Sequence, residues 1–232
     1  MASPDRRGGG RPPRISRAEI IETARRIVDE EGAARLTMRR LATEVGSTPM
    51  ALYHHVRDKE ELLLLLLEDF AERTLRRPGL PADPRERVVA LVAAIRETLA
   101  ACPWIVEVLT ADDLMARQAL WFSERIVDGL MECGLTIEEA VHGYRALWYY
   151  TVGEILVRAA SARRRAGDDR PTYRDQVFAG LDAAELPRLA SLSGRWADLT
   201  AQDTYLDGLR ALVDGLTRGG GRGPDAPPAG GA

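Results

Sequence analysis

Residues 37–59 read TMRRLATEVGSTPMALYHHVRDK, a stretch that predicts two short helices joined by a tight turn. Thr37 is placed to cap the first helix, and Gly46 interrupts the apolar periodicity and ends it. Thr48 is placed to cap the second helix, which is predicted to end near Val56. Pro49 then occupies the first helical position, where a missing backbone N–H is tolerated. The stretch therefore predicts a helix, a glycine turn and a second helix within about twenty residues.

Capping signals on both sides of this pair predict two further helices. Ser16 and Glu19 have the spacing of a capping box, and Gly32 ends the helical periodicity that follows them. Asp58 and Glu61 repeat that spacing at the start of a long apolar helix. Two short helices joined by a glycine turn are typical of the helix-turn-helix, which binds the major groove of DNA. Many all-α proteins that do not bind DNA also contain such a helix pair. The neighbouring sequence therefore has to distinguish a helix-turn-helix from an ordinary pair of short helices.

The rest of the chain continues in helical periodicity. Helical signals resume at Pro84, and no strand pattern lasts, which predicts an all-α protein of about nine or ten helices. Pro187 and Gly194 break residues 173–196 into helical pieces. The Gly-, Pro- and Arg-rich residues 1–14 and the Gly- and Pro-rich residues 218–232 predict a disordered basic arm and a disordered tail.

The composition argues against several classes of protein. No apolar run reaches the roughly 18 residues that a bilayer span needs, and residues 1–14 lack the apolar stretch of a secretory signal. We therefore expect a cytoplasmic protein without membrane contact. Residues 1–60 contain twelve Lys and Arg against nine Asp and Glu, whereas the whole chain has a net charge of −3. This asymmetry hints that the N-terminal part binds a polyanion.

Metal, cofactor and catalytic signals are weak. The two cysteines, Cys102 and Cys133, are too few for a zinc site. The adjacent His54 and His55 suggest a metal site, but the side chains of adjacent helical residues point about 100° apart. Within one helical turn after them the sequence offers no cysteine and a single carboxylate, Asp58, which is too few ligands for a metal site. We therefore predict no metal and no cofactor, with one histidine facing a DNA groove and the other packing. No nucleophile elbow or phosphate-binding glycine loop appears, so an all-α enzyme is not favoured.

Residues 36–63, LTMRRLATEVGSTPMALYHHVRDKEELL, resemble the TetR (tetracycline repressor) family of bacterial transcription regulators. The segments 100–109, 134–156 and 203–216 resemble the C-terminal domain of the tetracycline-repressor branch. The resemblance implies a helix-turn-helix DNA-binding domain at 15–62. A larger α-helical domain for ligand binding and dimerisation would follow at 63–217.

The resemblance implies a set of DNA-contacting residues, matched position by position. They are Thr37, Arg39, Thr48, Pro49, Met50, Tyr53, His54, His55 and Lys59. Arg39 would reach a base edge or a phosphate, and Pro49 and Met50 would contact a thymine methyl group. Tyr53 and Lys59, the only lysine of the chain, would bind phosphates. Ser47 departs from the family pattern, which usually has an apolar residue there.

An aromatic-rich part of the larger domain suggests a pocket for a flat, lipophilic small molecule. The candidate residues are Trp104, Met115, Trp121, Phe122, His142, Tyr144, Arg145, Trp148 and Tyr149. Glu154 is a further candidate for a polar contact. Aromatic residues at helical spacing are more often core than ligand contacts, so this alternative stays open. His142 is the only histidine of the larger domain, and it matches no metal-holding histidine of the tetracycline repressor. Tetracycline recognition is therefore not supported.

The implied function is a ligand-responsive, homodimeric repressor. Each dimer would bind a palindromic operator in double-stranded DNA and would be released by a small-molecule effector. The dimer would form through helices near 136–165 and 203–217, where Gly208 and Gly215 could allow close approach of the two subunits. A ligand-independent DNA-binding or architectural protein, or an activator, remains an alternative.

Overall fold

The computed structural model describes residues 15–111, 114–165 and 172–218. The predicted arm at 1–14 and nearly all of the predicted tail at 218–232 lie outside the described residues. Within the described ranges the chain is helical and contains no strand, which confirms the all-α fold class. The α-helices are α1 Arg17–Glu31, α2 Met38–Glu44, α3 Pro49–Leu52, α4 Lys59–Thr74, α5 Pro84–Ala100, α6 Pro103–Ala111, α7 Leu120–Glu132, α8 Ile137–Arg165, α9 Tyr173–Ala179, α10 Pro187–Ala190, α11 Trp196–Ala201 and α12 Tyr205–Arg218.

The described residues therefore contain twelve α-helices, more than the nine or ten predicted. Two of them, α9 and α10, come from the stretch 173–196 whose periodicity is broken, and α11 begins at its last residue. Pro187 begins α10, and Gly194 has a φ of 75°, which ordinary residues rarely adopt. Short 3₁₀ turns at Ala33–Arg35 and Arg117–Ala119 complete the helical elements.

The chain divides into two compact units. The first contains the described residues up to Arg73 together with those of Glu107–Arg117, and the second contains Thr74–Val106 and the described residues from Gln118 onward. The predicted domain boundary after residue 62 therefore falls inside α4, most of which belongs to the first unit. The physical reason is that α4 meets no helix breaker before Pro78, and its buried leucines run through Leu67.

In the first unit, short helices surround a small apolar core. The capping box of Ser16 and Glu19 begins α1 as predicted, with the Ser16 N–H 2.7 Å from the Glu19 carboxylate. α2 contacts both α1 and α3. Side chains buried in this unit include Ile20, Ala24, Ile27, Val28, Leu36, Leu41, Leu52, Val56, Leu62 and Leu66.

In the second unit, α5, α7, α8 and α12 pack against one another around one apolar core. Its fully buried members include Val88, Leu91, Ile126, Leu130, Leu147 and Leu209. α12 has a buried face that carries Tyr205, Leu209 and Val213 at helical spacing. Among the described residues, no helix taken alone has the length and apolar character of a membrane span. α5 and α6 meet that test only as a pair, across a bend of 107°.

Candidate nucleic-acid interface and ligand cavity

The turn between α2 and α3 is closed by backbone hydrogen bonds. Gly46 has a φ of 68°, and its N–H donates to the Thr43 carbonyl at 3.1 Å. The Ser47 N–H donates to the Ala42 carbonyl at 2.8 Å. These two bonds form a Schellman motif, in which a residue of positive φ satisfies the last carbonyls of a helix. The turn therefore closes through the backbone of Ser47, and the polar side chain at this position does not open it.

Two threonine hydroxyls cap the helices of the pair, as the sequence predicts. Thr37 Oγ1 accepts the Arg40 N–H at 3.1 Å, and Thr48 Oγ1 accepts the Ala51 N–H at 3.3 Å. In both caps the hydroxyl acts as an acceptor, so its own proton remains available to donate. The caps hold both threonines at the first turn of a helix, where backbone N–H groups favour an anion.

All nine residues predicted to contact DNA are exposed: Thr37, Arg39, Thr48, Pro49, Met50, Tyr53, His54, His55 and Lys59. Met50 is 71% exposed, although it is a large apolar side chain. Leu52 is the buried residue of α3, with no exposed surface. α3 therefore rests on one apolar side chain and presents its other residues outward.

Neighbouring arginines differ in what their guanidinium groups contact. Arg40 pairs with Glu31, with Nη1 at 2.7 Å from Oε2, and this hydrogen bond lowers the pKa of the Glu31 carboxyl. Arg39 is exposed and forms no ion pair within the described residues. The charge of Arg40 is thus neutralised locally, whereas that of Arg39 is open to an external anion.

The third helix is shorter than the sequence suggests. α3 ends at Leu52 rather than near Val56, and a turn follows in which the His55 N–H donates to the Leu52 carbonyl at 2.8 Å. His54 and His55 both lie on this turn and both are exposed, so the prediction that one of them packs is wrong. Adjacent side chains point about 100° apart only within a helix, and both histidines lie beyond the end of α3.

Lys59 begins α4 beside the helix-turn-helix. The Asp58 carboxylate caps this helix by accepting the Glu61 N–H at 2.8 Å. The Lys59 ammonium is exposed, and Nζ lies 3.5 Å from the Ala33 carbonyl oxygen. A hydrogen bond this long is weak, and two further ammonium protons remain free. Within the described residues, no group of three His, Cys, Asp or Glu comes together to hold a metal.

The second unit contains a small cavity of about 10 Å³, partly open to solvent. It lies between α5, α7 and α8 and is lined by Val92, Ile95, Ile126, Tyr144, Leu147, Trp148 and Thr151. Tyr144 and Trp148 belong to the predicted ligand set. The sequence missed the aliphatic lining residues, because apolar side chains on three helices carry no signal of a gap between them.

The other predicted ligand residues lie elsewhere. His142, Arg145 and Tyr149 are on the exposed side of α8, and Met115 belongs to the first unit. The remaining three, Trp104, Trp121 and Phe122, do not line the cavity. Phe122 is buried and packs edge-on against Trp121, with ring centroids 5.1 Å apart.

Glu154, the further polar candidate, is held by arginines. Its carboxylate accepts hydrogen bonds from Arg96, at 2.9 and 3.2 Å, and from Arg158. Asp203 joins the same cluster, at 3.2 Å from Arg96 Nη2. A carboxylate with these partners is neutralised within the protein and is not positioned as a free ligand contact.

Gly208 has a role within the subunit that the sequence did not indicate. A Cβ atom added at this position would lie 2.1 Å from the Tyr150 hydroxyl oxygen. The same hydroxyl donates to the Tyr205 carbonyl at 3.1 Å. The close approach that Gly208 allows is therefore that of the Tyr150 ring, whereas Gly215 has open space around it.

Two family matches cover most of the chain. Residues 20–66 match the family described as "Bacterial regulatory proteins, tetR family". Residues 77–219 match "Tetracyclin repressor-like, C-terminal domain". The chain belongs to the TetR family. Both matches agree with the resemblance seen in the sequence, and the TetR family is one of regulatory proteins that bind DNA through a helix-turn-helix.

Individual TetR-family relatives resemble the chain over most of its length. The HTH-type transcriptional repressor DrrR1 of Streptomyces coeruleorubidus is 32% identical over 223 residues, which cover 89% of this chain and 79% of DrrR1. ActR of Streptomyces coelicolor, solved in complex with actinorhodin, has a TM-score of 0.72 at 26% identity and covers 90% of this chain and 99% of its own. BioQ, solved with its DNA operator, has a TM-score of 0.58 at 22% identity and covers 88% and 99%, a likeness of fold alone.

Proposed function

We propose that the protein is a homodimeric repressor that binds a palindromic operator and is released by a lipophilic small molecule. The observation that carries the proposal is the set of nine exposed side chains around α3, which internal caps and one buried leucine hold in place. The similarity to DrrR1, named a transcriptional repressor, supports repression. The similarity to ActR, solved with actinorhodin, supports a small-molecule effector.

The contacts fall into two groups by what each side chain can offer. Arg39, whose guanidinium has no internal ion pair, is suited to bind the O6 and N7 atoms of a guanine, the commonest specific contact. The exposed Met50 is suited to contact a thymine methyl group. Tyr53 and Lys59 offer donors to the phosphate backbone, which positions a protein on DNA without reading its sequence.

The homodimer would use an apolar stripe that α8 leaves exposed. Ile137, Val141, Tyr149 and Val157 are each between 48% and 66% exposed, and Gly153 lies between the last two with open space around it. Large apolar side chains that are exposed together on one helix indicate an interaction surface. α12 adds Leu206, also exposed. A second copy that packs its own α8 and α12 here would bury these groups by two-fold symmetry.

The DNA roles can be tested by selecting DNA fragments with the purified protein and then measuring variant affinities. Lys59→Ala and Tyr53→Phe should weaken binding to all sequences alike, because phosphate contacts do not depend on the bases. Arg39→Ala should also relax sequence preference, by about 1–3 kcal/mol at one base pair. Arg40→Ala is the matched control, since Glu31 already binds that guanidinium. A Lys59→Ala protein with altered preference and full affinity would contradict the assignment.

The dimer can be tested by sedimentation of the full chain. Tyr149→Glu and Val157→Glu place a charge on the exposed stripe and should convert the dimer to a monomer. Tyr173→Glu changes an aromatic residue on α9 that is more exposed than Tyr149, at 82% against 64%, and should leave the dimer intact. If the unchanged chain sediments as a monomer at micromolar concentration, the dimer part of the proposal fails.

Ligand response and the sign of control need a separate measurement. A reporter gene behind the selected operator should be repressed by the protein and released by the effector. DNA binding that no lipophilic compound weakens would favour a ligand-independent DNA-binding protein. Transcription that rises when the operator is occupied would favour an activator.

A further inference from the structure

The basic side chains of the first unit differ in whether a carboxylate of the protein neutralises them. Residues 15–73, all of which the structure describes, contain nine Lys and Arg. Six of them pair with an Asp or a Glu: Arg17, Arg25, Arg26, Arg40, Arg57 and Arg73. The other three, Arg35, Arg39 and Lys59, form no ion pair with any described residue. Arg39 and Lys59 belong to the proposed DNA-binding set, whereas Arg35 does not.

Arg35 lies on the same edge of the unit as Lys59. It ends the 3₁₀ turn Ala33–Arg35, and Lys59 Nζ lies 3.5 Å from the Ala33 carbonyl oxygen. Because a 3₁₀ turn advances about 2 Å per residue, Arg35 lies about 4 Å along the turn from Ala33. Thr37, which caps α2 and belongs to the proposed DNA-binding set, follows two residues later. Arg35 is therefore bracketed by two proposed DNA contacts.

The backbone that carries Arg35 is fixed on both sides. The Arg35 N–H donates to the Gly32 carbonyl at 3.2 Å, and the Leu36 N–H donates to the Ala33 carbonyl at 3.2 Å. Leu36 has no exposed surface, whereas Arg35 is exposed. Since Leu36 anchors the turn in the core, binding of an anion by Arg35 has to order only its side chain, which limits the entropy that binding costs.

The carboxylate closest to Arg35 along the chain is occupied by another arginine. Glu31 accepts a hydrogen bond from Arg40 Nη1 at 2.7 Å. This hydrogen bond is the main cause that lowers the pKa of the Glu31 carboxyl, and the charge of Arg35 lowers it further. Arg35 therefore acts on Glu31 only through space. Its guanidinium N–H groups remain available to an external acceptor.

We propose that Arg35 binds a phosphate of the DNA backbone beside the phosphate that Lys59 binds. A guanidinium suits this role because its planar N–H groups can bind two phosphate oxygens at once. The inference rests on the proposed function, since it adds a contact to the proposed DNA interface. It goes beyond that function by extending the interface from the helix-turn-helix to the 3₁₀ turn that precedes it.

The position of Arg35 favours a phosphate over a base. In a helix-turn-helix the first helix crosses the DNA backbone, while the second lies in the major groove. Arg35 precedes the first helix, α2, and is far in the chain from the exposed side chains of α3. Phosphate contacts carry no sequence information. The contribution of Arg35 should therefore be the same for every DNA sequence.

The experiment measures how salt changes the affinity of the full chain for double-stranded DNA of random sequence, followed by fluorescence anisotropy. The logarithm of affinity falls linearly with the logarithm of salt concentration, with a slope of about −0.9 for each phosphate neutralised. Arg35→Ala should therefore make the slope shallower by about 0.9. Between about 50 and 200 mM salt, the affinity advantage of the unchanged chain over this variant should shrink about 3.5-fold.

Three further variants separate a phosphate contact from a general effect of charge. Arg26→Ala is the matched control, because it removes the same charge from an exposed guanidinium that Glu44 already binds at 3.0 Å. It should leave the slope unchanged. Arg35→Lys keeps the charge and should keep the slope. Arg35→Ala/Lys59→Ala should make the slope shallower by about 1.8, because two separate phosphates lose their partners.

Two slope results would overturn the inference. The first is an Arg35→Ala slope equal to that of the unchanged chain, and the second is an equal change in Arg26→Ala, which would indicate an effect of net charge alone. A shift in the sequences that Arg35→Ala selects from a DNA pool would also overturn it, since that would indicate a base contact. Thermal unfolding of each variant establishes that it is folded.

Failure of this inference and failure of the repressor proposal give different results. If the unchanged chain selects an operator that an effector releases, but Arg35→Ala keeps the full slope, only the role of Arg35 is wrong. If the slopes change as expected but no operator is preferred and no effector acts, the role of Arg35 stands and the repressor proposal fails. A chain that binds no DNA at all contradicts both.

Discussion

The helix-turn-helix and the cavity of this protein are built in opposite ways. In the helix-turn-helix, the side chains proposed to bind DNA are exposed and their supports are local, since each cap and turn bond joins residues within five positions of each other. The lining of the cavity comes instead from three helices, α5, α7 and α8. One of its residues, Thr151, forms a hydrogen bond with Tyr205, which lies 54 residues away.

This difference predicts how each region responds to mutation. A DNA-reading surface on a small, locally supported unit should tolerate changes to its exposed residues without loss of folding. A cavity wall made by packing should instead be sensitive to mutation, since lining residues such as Ile126 and Leu147 also belong to the core.

Leu52→Ala should produce the largest effect, because Leu52 is the buried residue of α3. Truncating a fully buried leucine lowers the free energy of unfolding by about 2–5 kcal/mol. Operator affinity should fall with it, because α3 loses its anchor. Met50→Ala is the matched control on the same helix. It should leave stability within about 0.5 kcal/mol and weaken only DNA binding. Equal destabilisation by both changes, in urea unfolding, would contradict local support of an exposed surface.

Gly208→Ala should destabilise the second unit. Its new methyl group would lie 2.1 Å from the Tyr150 hydroxyl, and the ring is held by stacking on Tyr205. Overpacking of this kind lowers the free energy of unfolding by about 1–3 kcal/mol. In a Tyr150→Ala background the clash is absent, so the same substitution should cost less. If the changes in the free energy of unfolding caused by Gly208→Ala and Tyr150→Ala simply add, the close contact between Gly208 and Tyr150 is contradicted.

Alkaline pH should weaken the fold through Tyr205. Burial is the main cause that raises its pKa from 10.0 to about 12. Between these values the unfolded chain loses the phenol proton while the folded chain retains it, so stability falls as pH rises. The loss is on the order of 2 kcal/mol. Tyr205→Phe should unfold with a shallower pH dependence between pH 10 and 12, measured by urea titration at each pH. An unchanged slope would mean that Tyr205 is not buried as described.

The smallest effects should come from the turn. Gly46→Ala places a methyl group at a φ of 68°, and this conformation is less stable by roughly 1–2 kcal/mol for an ordinary residue. Ser47→Ala should change stability by less than about 0.5 kcal/mol, because the turn uses the backbone N–H of Ser47. A larger effect of Ser47→Ala than of Gly46→Ala, in thermal unfolding, would show that the serine side chain is needed.

The local features of the first unit could be predicted because each depends on neighbouring residues. The caps at Ser16, Thr37, Thr48 and Asp58 and the stop at Gly46 follow from hydrogen bonds over three to five positions. The end of α3 could not be placed in this way, because the residues after Leu52 retain helical character in the sequence.

The cavity and its polarity could be predicted only in part. Tyr144 and Trp148 can be predicted because aromatic residues stand out in a sequence, but aliphatic lining residues look the same whether or not a gap lies between them. A glycine on a helix does not reveal which neighbour approaches it, so the sequence alone suggests a dimer contact at Gly208. The structure identifies that neighbour within the subunit as Tyr150.

The all-α class, the helix-turn-helix and the TetR family follow from the amino-acid sequence alone, because capping and helical periodicity are local and the motif is short. The hydrogen-bond partners of Tyr144 and Thr151 and the reason for a glycine at position 208 emerge only from the tertiary structure. Those properties depend on contacts between α7, α8 and α12, and such contacts are set by packing of the whole unit rather than by the residues adjacent in the chain.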